Sequence, residues 1–520
     1  MFAYALINGL VVDGSGQKPY RANVYIDDGK IAAITEAVLP AKETVDVSGL
    51  AVTPGFIDTH SHADLAHFQD YPVLSKVAQG VTTELMGNCG TSVMPALEDR
   101  LEQINQHLRA KKGRDSFLSV TDYAREGNAK GACMNYGTLI GHSNLRLAVM
   151  GFVNRDPSSE EMAEMTALLD REMQRGAFGM SLGLIYPPSA FCKTEELVEL
   201  AKVVAKYDGI LAVHMRNEGP KIFEAVQEML DIAEQSGVHV QISHLKLAGK
   251  PQWGKHPQLL KMITDARARG INITCDQYPF PASSTGLNAL VPHWAHEGGI
   301  AQMVKRLKAK EGDICEKIAE SFKSRSPQNI FVVTTYGSNP HCDGKFISEL
   351  MEELNMDAVK VVLKLLIDGD GAVSCIYFTM CEEDMLAIMQ QDYICVGSDG
   401  SSMSHDPERT RYSPHPRNYA AFTQYFQTVR EHKLLPLEQA VYKTTGLAAS
   451  ILGIRDRGIL RDGMAADIAV FDPETIASNS TFAEARVWPV GVYHVLVNGQ
   501  FSIRDGKPTG LNPGKVLLKR

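Results

Sequence analysis

Val52-Thr53-Pro54-Gly55-Phe56-Ile57-Asp58-Thr59-His60-Ser61-His62 is an apolar run that ends in metal-competent side chains. Alternate side chains of a β-strand share a face, so His60 and His62 project the same way and can hold one cation. Outward from this stretch the pattern recurs. Ile210-Leu211-Ala212-Val213-His214 and Val240-Gln241-Ile242-Ser243-His244 each close on a histidine. Another run ends in Asn88-Cys89-Gly90, and the last reads Ile394-Cys395-Val396-Gly397-Ser398-Asp399-Gly400. These ligands converge if the runs are neighbouring parallel strands.

Between about Gly55 and Gly400, β-like runs alternate with amphipathic helical stretches, the pattern of a parallel sheet flanked by helices. The clearest helix is expected over 158–175, opened by the capping pattern Ser158-x-x-Glu161 and stopped at Gly176. Others are expected over 194–207, 220–236 and 256–269, with Gly209, Gly237 and Gly270 suited to the C-caps. Strands are expected near 55–62, 81–86, 136–142, 177–184, 210–214, 239–245, 271–277 and 393–398. Eight strands close a barrel, and the catalytic residues of a (β/α)8 TIM-like barrel lie at the C-terminal strand ends, where every candidate here falls. An open doubly wound sheet would gather its ligands at one switch point instead. The expected fold is therefore an α/β barrel over residues 54–454. Residues 1–53 and 455–520 carry short alternating strands, neither set long enough for a comfortable core, and are expected to pair into one small β domain. The stretch at about 280–345 is too long for an ordinary connection and is expected to be a lid, helical over 299–322.

Composition bounds the function. The 520 residues carry a net charge of -9, which argues against nucleic acid or anionic membrane as the main partner. No run approaches the ~20 apolar residues of a spanning helix. Met1-Phe2-Ala3-Tyr4-Ala5-Leu6 lacks the basic segment of a signal peptide. Nine scattered cysteines do not resemble a disulfide framework, so a cytoplasmic location is expected.

Cys89, His214 and His244 would make a three-ligand site with one open position, the arrangement of catalytic zinc. A thiolate with two imidazoles favours Zn²⁺ over Mg²⁺ or Ca²⁺, which prefer oxygen. Such an ion activates water near neutral pH and polarises a substrate carbonyl. Asp399 is placed to accept the water proton and pass it to a departing nitrogen. His60, His62 and Asp399 offer a second, weaker metal position. Taken singly, a strand-end histidine is an ordinary polar residue and Cys89 a small buried apolar one; their concurrence points to a metal. Glu84, one pleat inside its strand, is expected to hydrogen-bond near the site rather than to ligate. For His142, substrate contact and a satisfied strand-end histidine both remain open.

The chain resembles the amidohydrolase superfamily and, within it, the N-acyl-D-amino-acid deacylases or D-aminoacylases. The resemblance rests on Gly55-Phe56-Ile57-Asp58-Thr59-His60-Ser61-His62, Gly87-Asn88-Cys89-Gly90, Gly183-Leu184-Ile185-Tyr186-Pro187-Pro188, His214-Met215-Arg216-Asn217-Glu218, Ser243-His244-Leu245-Lys246, Asp276-Gln277-Tyr278-Pro279, Ser398-Asp399-Gly400 and His415-Pro416-Arg417. The Asp-x-His-x-His pattern marks only the superfamily; Asn-Cys-Gly with the Tyr-Pro-Pro segment is more specific. The resemblance implies a barrel beside a small β-sandwich and a tight zinc held by Cys89, His214 and His244. It also implies a weaker site at His60, His62 and Asp399, and a substrate carboxylate held by Lys246, Tyr278, Ser284 and Arg417. Tyr186 joins these as a substrate contact. Independently, Lys246 lies two residues beyond His244 and faces the same way, and the fork of Arg417 suits a carboxylate.

Two departures bear on function. No lysine lies between Ala177 and Tyr186, where many amidohydrolases carry one that becomes a metal-bridging carbamate. The Ser- and charge-rich stretch 401–413 leaves the register of Arg417 open. The expected activity is zinc-dependent hydrolysis of the linear amide of an N-acyl-D-amino acid, a small-molecule substrate. The alternatives are a cyclic amide or dipeptide at the same site, and a non-catalytic binding protein, which would have no need of an open metal position and a strand-end base together.

Overall fold

The barrel strands are short runs, buried at every residue except His239, as expected where helices cover a parallel sheet. In the computed structural model, which describes residues 1–101, 104–105, 116–410 and 412–520, the eight are Phe56–Asp58, Val81–Met86, Asn135–Thr138 continued by Ile140–Gly141, Gly179–Gly183, Ile210–His214, His239–Ile242, Ile273–Gln277 and Ile394–Val396. Every adjacent pairing is parallel, from Phe56↔Val81 through Gly179↔Ile210 to Cys275↔Ile394. The ring closes just beyond the first and eighth strands. There the Asp399 N–H donates to the His60 carbonyl and the His62 N–H to the Gly400 carbonyl, both at 2.8 Å. Closure itself therefore sets His60 and His62 beside Asp399.

The helices follow the sequence pattern closely. Ser159–Gln174 carries the full Ser158/Glu161 capping box, and Thr194–Lys206, Ile222–Ser236 and His256–Ala268 pack outside the strands. Gly237 and Gly270 take the left-handed conformation at helix ends. Gly209 does not: Asp208 makes that turn with φ 49°. Glycine is required at 209 by packing instead, since a Cβ there would lie 2.8 Å from Met173 Cε and 2.9 Å from Val204 Cγ1.

Both ends of the chain build one nine-stranded sheet. Ala51–Pro54 pairs antiparallel with Ile468–Phe471, joining the N-terminal strands to Val492–Val497 and Gln500–Arg504. Leu6, Val24, Ile26, Val52, Ile468 and Leu496 share a core on this sheet. The last residues then leave it and lie along the third barrel strand, where Tyr136 N–H donates to Lys515 O at 2.9 Å.

The insertion between the seventh and eighth strands is longer than the 280–345 read from sequence. Its strand Ser283–Gly286 pairs with Ser374–Tyr377, which pairs in turn with Ile330–Thr334. An insertion ending at 345 would leave that sheet without its central strand. Leu287, Leu307, Ile318, Val332, Val362 and Leu366 give it a core of its own. Its expected single helix over 299–322 is two, Ile300–Ala309 and Ile314–Ser321. Lys310 (φ 50°) and Gly312 (φ 58°) turn the chain between them. All nine cysteines are free, and no helix among the described residues is long and apolar enough to cross a membrane.

Candidate metal centre

The C-terminal strand ends meet at one point above the barrel. Cys89 Sγ lies 3.3 Å from His60 Nε2, 3.7 Å from His214 Nδ1 and 3.7 Å from His244 Nε2. Asp399 Oδ1 lies 3.3 Å from His60 Nε2 and 3.1 Å from His62 Nε2. Two overlapping clusters result, Cys89 with His214 and His244, and His60 with His62, Cys89 and Asp399, each with its ligand atoms within 4.8 Å of one another.

The donor chemistry fits a divalent cation. Burial would push the Cys89 thiol up, yet His60 and hydrogen bonds to His214 and His244 hold it well below its ordinary value, so it is disposed to be a thiolate. Burial opposes a proton on His60, but Asp276, Cys89 and Asp399 raise it well above the usual imidazole range. A buried pocket that favours positive charge on a ring suits a metal equally well. His214 also keeps a buried Nε2 with no hydrogen-bond partner among the described residues. One soft sulfur with two imidazoles selects zinc, and the imidazole-carboxylate set beside it offers a second position.

Local backbone aims these groups. Cys89, His244 and Asp399 all have positive φ, 51°, 39° and 52°, a conformation on the order of 1–3 kcal/mol unfavourable for a non-glycine residue. That three such residues meet at one site marks it as functional, because the surrounding fold must hold them there. The Cys89 turn lies directly on the fourth strand: a Cβ on Gly183 would come within 2.0 Å of the Cys89 carbonyl oxygen. Ser181 Oγ accepts from the Gly90 N–H at 3.0 Å and donates to the Gly87 carbonyl at 2.5 Å. The fourth strand thus supports the cysteine turn.

Three acidic residues and a lysine to which the sequence assigned no role, together with Glu84, surround the candidate ligands. Asp276 Oδ1 accepts from the His244 N–H at 2.8 Å and lies 3.2 Å from His60 Nδ1. Glu218 Oε1 lies 2.9 Å from His244 Nδ1 and 2.5 Å from Lys246 Nζ. Below them Lys76, wholly buried, donates to Asp58 Oδ2 at 2.6 Å and also bonds Ser398 Oγ. It sits 3.2 Å from Glu84, whose carboxylate accepts from Ser61 at 3.1 Å and Ser402 at 2.8 Å. Glu84 is thereby a hydrogen-bond partner of the site's frame. His142 is satisfied by Ser189 at 2.7 Å and Glu196 at 2.8 Å, away from the cluster.

A cavity of about 280 Å³ opens over the centre, lined by His62, Cys89, His214, His244, Asp399 and residues of the insertion. Lys246, Arg417, Ser284 and Tyr186 line it too. Arg417 Nη1 donates to Asp399 Oδ2 at 2.6 Å and Nη2 to the Ser284 carbonyl at 3.2 Å. Burial would raise the Asp399 carboxyl, but Arg417, His244 and His60, with a hydrogen bond from His62, hold it well below the usual carboxylate range. Tyr278 is buried beneath both cations, its ring centre 5.8 Å from Lys246 Nζ and 5.2 Å from the Arg417 guanidinium carbon. Tyr186 shares a hydrogen bond with Thr285 at 2.9 Å. Ser284 turns its hydroxyl away, donating to the Cys375 carbonyl at 3.0 Å.

A parallel eight-stranded barrel with thiolate, imidazole and carboxylate donors at its C-terminal rim defines a metal-dependent hydrolase of the TIM-barrel class. The chain belongs to the amidohydrolase family, whose description matches residues 43–262 and 399–503, and to its N-acyl-D-amino-acid deacylase branch. Over 99% of this chain and 94% of the relative it is 34% identical to the N-acyl-D-aspartate deacylase of Alcaligenes xylosoxydans xylosoxydans. The D-aminoacylase of the same organism is also 34% identical, over 100% of this chain and 98% of the relative. Its fold matches the N-acyl-D-glutamate deacylase of Bordetella bronchiseptica, solved with zinc and a phosphonate mimic of the tetrahedral intermediate, with TM-score 0.85 and 32% identity over 99% of both chains.

Proposed function

We propose that this protein is a zinc-dependent deacylase that cleaves the linear amide of N-acyl-D-amino acids, releasing a carboxylate and the free D-amino acid. The observation that carries this reading is one cavity in which the thiolate-imidazole cluster, a proton-accepting carboxylate and two cations face the same space. Cys89, His214 and His244 would hold the zinc, with His60, His62 and Asp399 as a second position. When bound, zinc supplies Lewis acidity towards the acyl carbonyl and lowers the pKa of water.

The chain's own residues supply the rest. Asp399 is ionised, so it can take a proton from the attacking water and return it to the departing nitrogen. Arg417 holds its far oxygen, which leaves Oδ1 turned towards His60 and His62. Lys246 and Arg417 would share the substrate α-carboxylate, with Tyr278 setting the spacing between them. Charge matching there fixes which way the amide enters. Tyr186 and the Ser284 backbone would border the acyl and side-chain groups.

The likeness to the N-acyl-D-aspartate deacylase, the D-aminoacylase and the N-acyl-D-glutamate deacylase of Alcaligenes xylosoxydans xylosoxydans, each at 34% identity, supports the D-series and leaves the side chain undetermined. A D-hydantoinase resembles the chain in fold alone, at 16% identity. The nine free thiols accord with a reducing, cytoplasmic setting. The deciding assay is hydrolysis of paired N-acetyl-D- and N-acetyl-L-amino acids together with a hydantoin. Turnover confined to D-amides supports the proposal; ring opening without any D-amide cleavage overturns it.

A further inference from the structure

The cavity carries a third cation that the deacylation chemistry leaves unused. Arg325 lines it together with Lys246 and Arg417. It stands in the turn after the insertion's helix Ile314–Ser321, where its N–H donates to the Ser321 carbonyl at 3.1 Å. That turn packs over the loop leaving the sixth strand: a Cβ on Gly249 would lie 3.3 Å from the Ser324 carbonyl oxygen. Gly249 follows Lys246 by three residues, so the turn is fixed against the element that bears the α-carboxylate anchor.

The three cations differ in their partners. Lys246 is 2.5 Å from Glu218 and Arg417 is 2.6 Å from Asp399. Among the described residues, no carboxylate oxygen lies within ion-pair distance of Arg325. Its guanidinium carbon sits 5.3 Å above the ring centre of Tyr377, a buried residue that also lines the cavity. Stacking of this kind holds the guanidinium plane while leaving its edge N–H groups free to donate.

We propose that Arg325 is a specificity-determining residue that receives a second, side-chain carboxylate, so that the substrates are N-acyl-D-amino acids with acidic side chains. This deepens the deacylase reading and rests on it. A monoanionic substrate engaging Lys246 and Arg417 leaves Arg325 without an anion in the same cavity, whereas a dianion places one charge on each cationic side. Bidentate donation from Arg325 to that carboxylate distinguishes it from the amide isostere, which cannot accept two charge-assisted bonds. Ile185, Tyr186 and Tyr377 border the same cavity and supply apolar surface for the intervening methylenes.

The test compares kcat/KM for N-acetyl-D-aspartate against N-acetyl-D-asparagine and for N-acetyl-D-glutamate against N-acetyl-D-glutamine, using zinc-loaded wild type, Arg325→Gln, Arg325→Lys and Arg325→Glu. Wild type should prefer one or both acids over the amides by about tenfold or more. Arg325→Gln should bring that ratio close to one, chiefly by raising KM for the acid; Arg325→Lys should retain part of it. Arg325→Glu should reverse the order and improve N-acetyl-D-lysine relative to the acids. Ratios within one variant are insensitive to partial misfolding, which scales both rates equally. Equal wild-type rates on acids and amides would overturn the inference and leave the deacylase reading intact. So would a preference that survives Arg325→Gln. Absence of turnover on every N-acyl-D-amino acid would remove both.

Discussion

Asp399 has one carboxylate oxygen turned to His60 and His62 and the other held by Arg417. Replacing it with asparagine keeps the shape and removes the proposed base. Asp399→Asn should therefore lower kcat by about 10²–10⁴-fold, while zinc bound by the Cys89 cluster stays near its wild-type content in metal analysis. Activity within a few-fold of wild type would assign the proton transfer elsewhere. Cys89→Ala removes the sole sulfur of that cluster and should strip zinc on dialysis against a mild chelator, with activity lost in parallel. These residues were readable in the sequence because their chemical types sit at the ends of apolar runs. Glu218 and Asp276 were not, because their roles arise from contacts with His244 and Lys246, distant in sequence and fixed only by packing of adjacent strand ends.

At the scale of single elements, the fourth strand is read correctly as β but its purpose is hidden in a glycine. Gly183→Ala would drive a methyl into the Cys89 backbone, at 2.0 Å from its carbonyl oxygen. Overpacking of this kind costs about 1–3 kcal/mol, and here the displaced atoms carry a proposed ligand. The variant should lose zinc to a chelator faster than wild type, with a lowered denaturation midpoint; unchanged zinc retention would mean that the cysteine turn is not held by this strand. Lys76 acts on the closure between the first and eighth strands. It is wholly buried between Asp58 and Glu84, so Lys76→Met leaves two buried carboxylates without their cation and should cost about 3–5 kcal/mol in chemical denaturation. Helix boundaries followed caps and glycines where the turn is local, as at Ser158 and Gly237. They departed at Gly209 and Lys310, where tertiary contacts and a non-glycine left-handed turn decided the chain path.

Across the whole molecule, the terminal sheet and the barrel are tied by one buried carboxylate. Asp467 pairs with Arg457, accepts from Asn135 of the third barrel strand at 2.9 Å and from the Asn498 N–H at 2.7 Å. Asp467→Ala would remove the buried partner of Arg457, leaving only the exposed Asp456 at 3.2 Å, and should destabilise the protein by about 3–5 kcal/mol, read as a fall in the unfolding midpoint monitored by circular dichroism. An unchanged midpoint, with the terminal sheet and barrel still melting together, would show that the two parts are held by other contacts. The insertion is the other whole-molecule feature. It folds around a core of its own yet delivers Ser283, Ser284, Thr285, Arg325 and Tyr377 to the cavity.

Hydrophobic periodicity, strand-end ligand types and capping signals were enough to determine eight parallel strands, their helices and the six metal-competent residues, because each is a local property of the chain. The pairing of Ser283–Gly286 with Ser374–Tyr377, the salt bridge between Arg417 and Asp399, and the stacking of the Arg325 guanidinium on Tyr377 were decided only by tertiary structure. Each depends on which distant segments pack together, and that is set by burial and closure of the barrel rather than by any pattern along the sequence.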